Sequence, residues 1–509
     1  MSIKNLARVY SAELEGIDAK LIEVETDLNV GIHSFSIVGL ADKALNEAKE
    51  RVNSALKNSG VKPPNRENRK ITINLAPADI KKTGSQYDLA IAIGYLAATR
   101  QISPFNTSDK IFFGELALDG RLRPVSGALN IAQMAGERGF KYLFLPADNV
   151  DEAAVIESVR IVGIETLRQA IQVLEGSRPV SPVMFRQSMA TRDNISDLSE
   201  IKGQGNAKRA LMIAAAGGHN ILMTGPPGVG KSFLARAFAG ILPDLAADEA
   251  IEVTKIWSAA GLQPGGLIRK RPFRAPHHTA STIALVGGGY DPRPGEISLA
   301  HRGILFLDEL PEFQRATLEA LRQPMESGTI HIARAKGTLV FPAKFTLVGA
   351  MNPCPCGYYG DQETECRCTA YETIQYQKRI SGPLLDRIDI QIKVGRIKIG
   401  ELRAAGEGEP QNSPVRELVE RARTIQRQRF ADGTAKTNSE MSSREAQAVA
   451  HLDPEAEKFL AVFDKSNLSP RSYYRLLKIS RTIADLEEQD HITAEHLAEA
   501  FSYRLREEA

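Results

Sequence analysis

The sequence predicts a three-part α/β protein: an α+β N-terminal block, a core of buried parallel strands around a phosphate loop, and an α-helical C-terminal domain. Three observations predict it. The chain has 509 residues, more than one hydrophobic core usually organises, which sets a prior of roughly three domains. Short apolar strands alternate with amphipathic helices up to about residue 395. Beyond the polar stretch GEGEPQNSP (406–414) only helical signals remain.

In the N-terminal block, residues 1–176, ITINLAP (71–77), KIFFGELALDG (110–120) and KYLFLP (141–146) read as strands. KALNEAKERVNSALKNSG spaces its apolar residues as a helix does and ends at a glycine stop. A linker is expected over 177–194, where SRPVSPVMFRQSMATRDN has prolines and serines but no periodicity. The core, 195–395, carries buried-looking strands in HNILMTGPPGVGKS, GILFLDELPEF and AKFTLVGAMNP. In the tail, 396–509, Asp453-Pro454, Ser469-Pro470 and Thr493 each read as an N-cap opening a helix.

Composition is that of an ordinary globular chain, 43% hydrophobic and 25% charged, with a net charge of +2. Such a balance neither demands nor excludes nucleic acid, because a channel can be locally basic on a neutral protein. No apolar run approaches the roughly 18 residues of a membrane span. The start, MSIKNLARVYSAELEG, lacks the apolar core of a signal peptide. A cytoplasmic protein without a membrane partner is expected.

GPPGVGKS (225–232) fits the phosphate-loop pattern, with a strand before it and the helix LARAFAGIL after it. Gly225, Gly228 and Gly230, with Pro226, Pro227 and Val229 between them, let backbone N–H groups turn inward around phosphate oxygens. Lys231 supplies charge to the β- and γ-phosphates, and Ser232 can ligate magnesium. ILFLDE (304–309) is the companion, a buried strand ending in carboxylates where α/β sheets place ligands. Asp308 would hold the magnesium and Glu309 polarise the attacking water. A DE pair alone is weak; beside the phosphate loop it points to a nucleoside-triphosphate hydrolase using ATP and magnesium.

All four cysteines, Cys354, Cys356, Cys366 and Cys368, lie within NPCPCGYYGDQETECRCT (352–369). Two Cys-x-Cys pairs nine residues apart can surround one tetrahedral zinc with no position left for water, a structural site. Reduced thiols and disulfides are the alternatives, disulfides being disfavoured in a reducing cytosol.

The phosphate loop, the DE box, Asn352 after a third strand and Arg387 in LLDRID resemble the AAA+ ATPases. RPFRAPHHTAS (271–281), GPLLDRID and the helical tail resemble the magnesium-chelatase-like branch, and nearly the whole chain resembles the ComM/YifB family. That resemblance implies bacterial ATPases associated with DNA uptake and recombination. It implies that Asn352 acts as sensor 1, positioning water near the γ-phosphate, and that Arg387 is an arginine finger reaching a neighbour's nucleotide. It implies sensor 2 at Arg471, with Arg475 and Arg481 as competitors, and a homo-hexamer with nucleotide at subunit interfaces. The cysteine loop then lies between Asn352 and Arg387 in sequence, and is expected to brace the edge shared by two ATPase subunits.

MESGTIHIARAKGTLVFPAKF (325–345) reads as a β-hairpin with Arg334 and Lys336 at its tip. In related helicases such a hairpin lies in the channel, so the two cations are candidate DNA contacts. Arg274, His277 and His278, in the segment resembling a helix-2 insert, would meet a DNA strand or line a subunit interface. The N-terminal block resembles the proteolytic domain of Lon and its relative in RadA, through KKTGSQYDLAIAIGYL (81–96) and FFGELALDGRLRPVSGALNIAQMA (112–135). Lon needs a serine activated by a lysine. Here Tyr87-Asp88 surround the nucleophile's place and Leu129 stands at the lysine's, so a catalytically inactive platform is expected. Ser85 with Lys81 or Lys82 is the shifted alternative.

The reading is therefore a hexameric ATP-driven helicase promoting branch migration on single-stranded and branched DNA, with recombination proteins as further partners. A protein-remodelling unfoldase is the alternative, and a magnesium-chelatase motor subunit ranks last.

Overall fold

The computed structural model describes residues 6–39, 43–66, 68–179, 197–262, 265–289, 292–334, 337–397, 412–431, 435–463 and 469–504. The expected linker falls outside these residues from 180 on, as do Lys336 and the polar stretch up to 411. The chain divides into two compact units, Met1–Ala190 with Ala247–Ile268, and Thr191–Ala246 with Arg269–Ala509.

The first unit is built on a seven-stranded mixed sheet. Its strands are β1 (Leu6–Glu15), β2 (Asp18–Val30), β3 (Ser34–Val38), β4 (Arg69–Ala76), β5 (Lys110–Phe112), β6 (Tyr142–Pro146) and β7 (Arg160–Ile164). They are ordered β3-β4-β2-β1-β5-β6-β7, antiparallel across β4-β2-β1 and parallel towards both edges. The β1–β2 hairpin is not announced by the sequence, although Ile22, Val24, Thr26 and Leu28 alternate inward with the strand period. KIFFGELALDG is not one strand. It breaks at Gly114, whose N–H donates to the Gln86 carbonyl at 2.8 Å, and resumes as the short strand Glu115–Leu116.

Helix Asp88–Thr99 lies on β1 and β2 and is buried over most of its length. A Cβ on its Gly94 would come within 2.8 Å of Thr26 Oγ1, so glycine permits the close approach. Helix Ala247–Ala259 belongs to this unit despite its place between two motifs of the core block. The Gly127 N–H donates to the Ser258 carbonyl at 3.0 Å, and Asn130 Nδ2 to the Lys255 carbonyl at 3.2 Å. The compact units therefore cut the chain differently from a linear partition at 195.

The second unit holds an all-parallel five-stranded sheet. Its strands are β8 (Ile221–Thr224), β9 (Phe273–Arg274), β10 (Ile304–Leu307), β13 (Thr346–Met351) and β14 (Ile390–Lys393), in the order β9-β10-β13-β8-β14. A separate pair, β11 (Thr329–Arg334) and β12 (Gly337–Pro342), forms the expected antiparallel hairpin immediately before β13. All four residues of β10 are buried, as a parallel strand covered on both faces requires.

Register places the motifs. Thr224 pairs with Met351 and Lys393, and Leu307 with Gly349, so the phosphate loop, Asp308 and Asn352 leave the sheet at one edge. At the opposite edge Asn220 ties three strand starts together. Its N–H donates to Asp389 Oδ2 (3.0 Å), its Nδ2 to the Arg387 carbonyl (3.1 Å), and its Oδ1 accepts from Leu347 N–H (2.8 Å). In the helical tail Ser469 and Thr493 cap helices Pro470–Leu486 and Ala494–Ser502, and Asp453 Oδ1 accepts from Ala456 N–H at 2.6 Å. Among the described residues no helix is long and apolar enough to cross a membrane.

Candidate active site

The phosphate loop turns on glycines at positive φ, Gly228 at 80° and Gly230 at 88°, the latter opening helix Lys231–Ile241. Gly225 is needed for a different reason: a Cβ there would lie 2.2 Å from the Val394 carbonyl oxygen. The first amides of an eleven-residue helix then point into the loop, a ready anion cradle. Lys231 Nζ is held by the Gly225 carbonyl (2.6 Å), the Pro226 carbonyl (2.9 Å) and Asn352 Oδ1 (3.0 Å). Burial lowers its pKa, with Asp308 and Glu309 pulling the other way.

Ser232 Oγ donates to Asp308 Oδ2 at 2.7 Å, so the hydroxyl and carboxylate expected to hold magnesium converge. The donor set, one hydroxyl and one carboxylate beside a phosphate cradle, suits a magnesium that keeps several waters. Asp308 Oδ1 accepts from the Glu309 N–H at 2.9 Å, fixing Glu309 in the left-handed region at φ 50°. That conformation is costly for a residue with a Cβ and is commonly kept where function over-determines it. Burial, then Glu312 and Glu309, push the Tyr376 hydroxyl up to about 12.

Arg387 stands at the other end of the sheet, before β14 begins. Its guanidinium is paired with Glu326 and donates to the Pro383 carbonyl at 2.7 Å. It borders an open cleft of about 430 Å³ shared with Glu319, Arg322, Gln323, Glu326 and Ser327. Of the three arginines competing for sensor 2, two are committed internally. Arg475 donates to the Asp386 carbonyl, and Arg481 Nε to Asp485 Oδ1 at 3.0 Å. Arg471 is exposed and shares its surroundings with Arg387 and Glu326; burial and then Arg387 lower its pKa. The structure thus gathers Arg387 and Arg471 at one edge, away from the phosphate loop.

Residues 197–402 match the family described as "Magnesium chelatase, subunit ChlI", residues 24–149 "Subunit ChlI of Mg-chelatase" and residues 409–504 "Magnesium chelatase, subunit ChlI C-terminal". The chain is 43% identical to "Competence protein ComM" of Haemophilus influenzae over 98% of its own length and 97% of that relative's. It belongs to the ComM/YifB family of magnesium-chelatase-like AAA+ proteins. It is also 42% identical to "Uncharacterized protein YifB" of Escherichia coli, over 98% of this chain and 97% of the relative. A shorter match, 32% identity over 19% of this chain and 21% of the relative, is to "DNA repair protein RadA" of Listeria monocytogenes.

In this ComM/YifB chain the four cysteine sulfurs lie within 4.8 Å of one another. Cys354 Sγ is 3.4 Å from Cys356 Sγ and 3.6 Å from Cys366 Sγ, and Cys356 Sγ is 3.6 Å from Cys366 Sγ. None is joined in a disulfide. Sulfurs around a tetrahedral zinc at about 2.3 Å stand about 3.8 Å apart, so the cluster fits that ion. Backbone amides serve the sulfurs as well: Tyr359 N–H donates to Cys354 Sγ and Cys356 N–H to Cys368 Sγ.

The cysteine loop follows the C-terminal end of β13 and so sits at the phosphate-loop edge, whereas Arg387 precedes the start of β14. A Cβ on Gly357 (φ 86°) would come within 2.6 Å of Pro227 Cδ, and Arg396 Nε ties the loop down through Asp361 Oδ2 at 3.0 Å.

The residues expected to meet DNA fare differently from one another. Arg334 is exposed at the end of β11, next to the hairpin tip, while Lys336 lies outside the described residues. Arg274 is engaged by Glu296 through two bonds of 2.6 Å. His277 Nδ1 bonds Thr279 Oγ1 at 2.9 Å, and His278 faces Glu309. Glu296, Glu326 and Asn220 are not legible in the sequence as site neighbours, since each is recruited by tertiary pairing.

Among the described residues of the first unit, Ser85 pairs with neither Lys81 nor Lys82. Ser85 Oγ donates to Glu115, Lys82 Nζ is buried and donates to the Pro77 carbonyl, and Leu129 is buried in its helix. Tyr87 donates to the buried Glu13, and Asp88 accepts from Arg51 at 2.7 and 3.1 Å.

Proposed function

We propose that this ComM/YifB chain is a hexameric ATP-driven DNA motor. Its task is branch migration, extending heteroduplex as incoming single-stranded DNA recombines during natural transformation. The observation that carries the reading is the polarity of the sheet. Lys231, Ser232, Asp308, Glu309 and Asn352 gather at the C-terminal ends of the strands, and Arg387 precedes a four-residue strand in register with β8. Four residues of parallel strand span about 13 Å. Arg387 and Arg471 therefore suit a second copy's nucleotide better than their own, which calls for a ring. The names "Competence protein ComM" and "DNA repair protein RadA" support DNA as the polymer.

In this reading Lys231 and the loop amides bind the β- and γ-phosphates, and Asn352 holds the attacking water in line. Glu309 takes a proton from that water as its oxygen bonds the γ-phosphorus. The β–γ bridging bond breaks and its electron pair leaves on ADP. Ser232 and Asp308 would hold a magnesium, which would supply charge neutralisation to the phosphates. Arg387 and Arg471 of the neighbouring copy stabilise the charge that develops there. The four cysteines would hold a zinc that would staple the loop, whose Gly357 packs against Pro227, in a structural role. Arg334, at the end of β11, presents a cation to DNA phosphates, and Lys336, two residues on in the sequence, supplies a second. The N-terminal unit is a Lon-protease-like platform without the protease's dyad, the helical tail is a lid, and the assembly is cytoplasmic.

The test is ATP hydrolysis by the full chain with and without branched DNA. Stimulation by DNA that disappears in Lys231→Ala and Glu309→Gln supports the motor. Hydrolysis indifferent to DNA but raised by an unfolded protein would instead favour a remodelling chaperone.

A further inference from the structure

We infer that Glu440 is a positioning residue that couples the helical tail to the β11–β12 hairpin, and through it ATP turnover to the polymer. Its carboxylate bridges two cations. Arg302 Nη1 donates to Oε1 at 3.2 Å and Lys344 Nζ to Oε2 at 3.3 Å, and the Lys436 N–H also donates to Oε2 at 3.3 Å. The two cationic residues are joined through their backbones as well. The Arg302 N–H donates to the Lys344 carbonyl at 2.5 Å, and the Lys344 N–H to Nδ1 of the buried His301 at 3.0 Å. Arg302 keeps this place in the left-handed region at φ 57°, a conformation that costs a residue with a Cβ and persists where its surroundings over-determine it. Its side chain is only 7% exposed, so solvent screens its attraction to Glu440 weakly.

The place of this clasp in the fold gives it a role. Lys344 lies between β12 and β13, two residues from each, and a Cβ on Gly328, just before β11, would come within 2.8 Å of its Cγ. The Ala343 N–H donates to the Gly328 carbonyl at 2.8 Å and closes the base of the hairpin. Arg302 lies two residues before β10, and the Thr346 N–H of β13 donates to the Gly303 carbonyl at 2.9 Å. Strands β10 and β13 end beside Asp308, Glu309 and Asn352. Glu440 therefore stands where the hairpin's base meets the starts of both strands that lead to the hydrolytic residues. Its own anchor is in the tail. The buried Asn438 donates from its N–H to Gln426 Oε1 at 2.9 Å and from Nδ2 to Asp485 Oδ2 at 2.8 Å, and Lys478 Nζ donates to the Ser439 carbonyl at 3.0 Å. Asp485 and Lys478 belong to helix Pro470–Leu486, which begins with Arg471 beside it, the residue proposed to meet a neighbouring copy's nucleotide. A displacement of that helix reaches the hairpin through the Glu440 carboxylate.

The inference rests on the reading of a DNA-stimulated motor, and the experiment separates the two. Steady-state ATP hydrolysis by the full chain is measured without DNA and with branched DNA at saturation, for the parent, Glu440→Gln, Lys344→Met and the double variant Glu440→Gln/Lys344→Met. The parent should be stimulated by DNA. Glu440→Gln keeps the shape of the side chain and removes its charge. It should hold kcat and KM for ATP without DNA within about twofold of the parent and lose most of the stimulation. Lys344→Met should do the same, and the double variant should be no worse than either single one, since both break one link. A merely structural role would lower the rates with and without DNA together and leave their ratio unchanged. Stimulation equal to the parent's in Glu440→Gln, an unchanged ratio, or losses that multiply in the double variant overturns the inference. Hydrolysis by the parent that ignores DNA overturns the motor reading, and the coupling with it. Should Glu440→Gln fail to fold, Lys344→Met, made at a side chain that is 36% exposed, decides the matter: lost stimulation supports the coupling and full stimulation overturns it.

Discussion

Replacing Cys354 by serine perturbs the cysteine loop at its buried ligand, and the size of the effect can be worked out. Structural zinc binding in small thiolate domains is worth roughly 10–16 kcal/mol. One ligand in four then carries about 2.5–4 kcal/mol, and its loss weakens binding by about 10²–10³-fold. The sulfur separations of 3.4–3.6 Å lie close to the tetrahedral edge, so little strain offsets that value. Because Gly357 sits against Pro227, the damage should travel into the phosphate loop and weaken nucleotide binding as well as hydrolysis. The assay is zinc content of full-length protein purified without added metal, followed by competition with a chromophoric chelator. Parent protein should carry one zinc per chain and Cys354→Ser should shift the competition midpoint by the stated factor. Parent protein with less than about half an equivalent of zinc and four titrating thiols would refute the site.

Three further outcomes are expected. Arg387→Ala should keep nucleotide binding and lose about 10³-fold in hydrolysis. Mixing it with Glu309→Gln subunits should restore activity, since each supplies what the other lacks; a mixture no better than its components contradicts action across subunits. Gly225→Ala places a Cβ 2.2 Å from the Val394 carbonyl oxygen, so ATP affinity should fall about tenfold or more; unchanged affinity contradicts the close packing. Asp88 is raised from 3.8 to about 6 by burial, against the pull of Arg51. A carboxyl raised on folding favours the folded state below 3.8 and loses that advantage as pH rises through 6, a change of about 3 kcal/mol. Denaturation of the parent relative to Asp88→Asn should improve by that amount from neutral pH to below 3.8, and a pH-independent difference contradicts the burial argument.

The motifs that announce themselves in sequence are those whose chemistry is local. Gly228 and Gly230 must sit where they do because the loop turns there at positive φ, and Gly225 because a Cβ would strike the Val394 carbonyl. ILFL before Asp308 is apolar throughout because a parallel strand is covered on both faces. The N-caps at Ser469 and Thr493 are equally local. What stayed hidden depends on pairing across the chain. The β1–β2 hairpin mixes charged residues with Ile22, Val24 and Leu28, and its period of two shows only once one face is known to be buried. Placing helix Ala247–Ala259 with the first unit depends on Gly127 and Asn130, more than a hundred residues away. The pairing of Arg274 with Glu296 and the contact of His278 with Glu309 are likewise made across the chain, and no spacing in the sequence announces them. The cysteine loop and Arg387 lie at opposite edges of the sheet because one follows β13 and the other precedes β14.

The central claim is that ATP turnover at this composite site moves a DNA branch point. Purified full-length protein is added to a labelled three- or four-stranded junction with ATP and magnesium, and the exchange of strands is followed by gel. Junction movement that requires ATP and vanishes in Lys231→Ala, Glu309→Gln and Arg387→Ala is the predicted result. Vigorous ATP hydrolysis with junctions left where they began would contradict it.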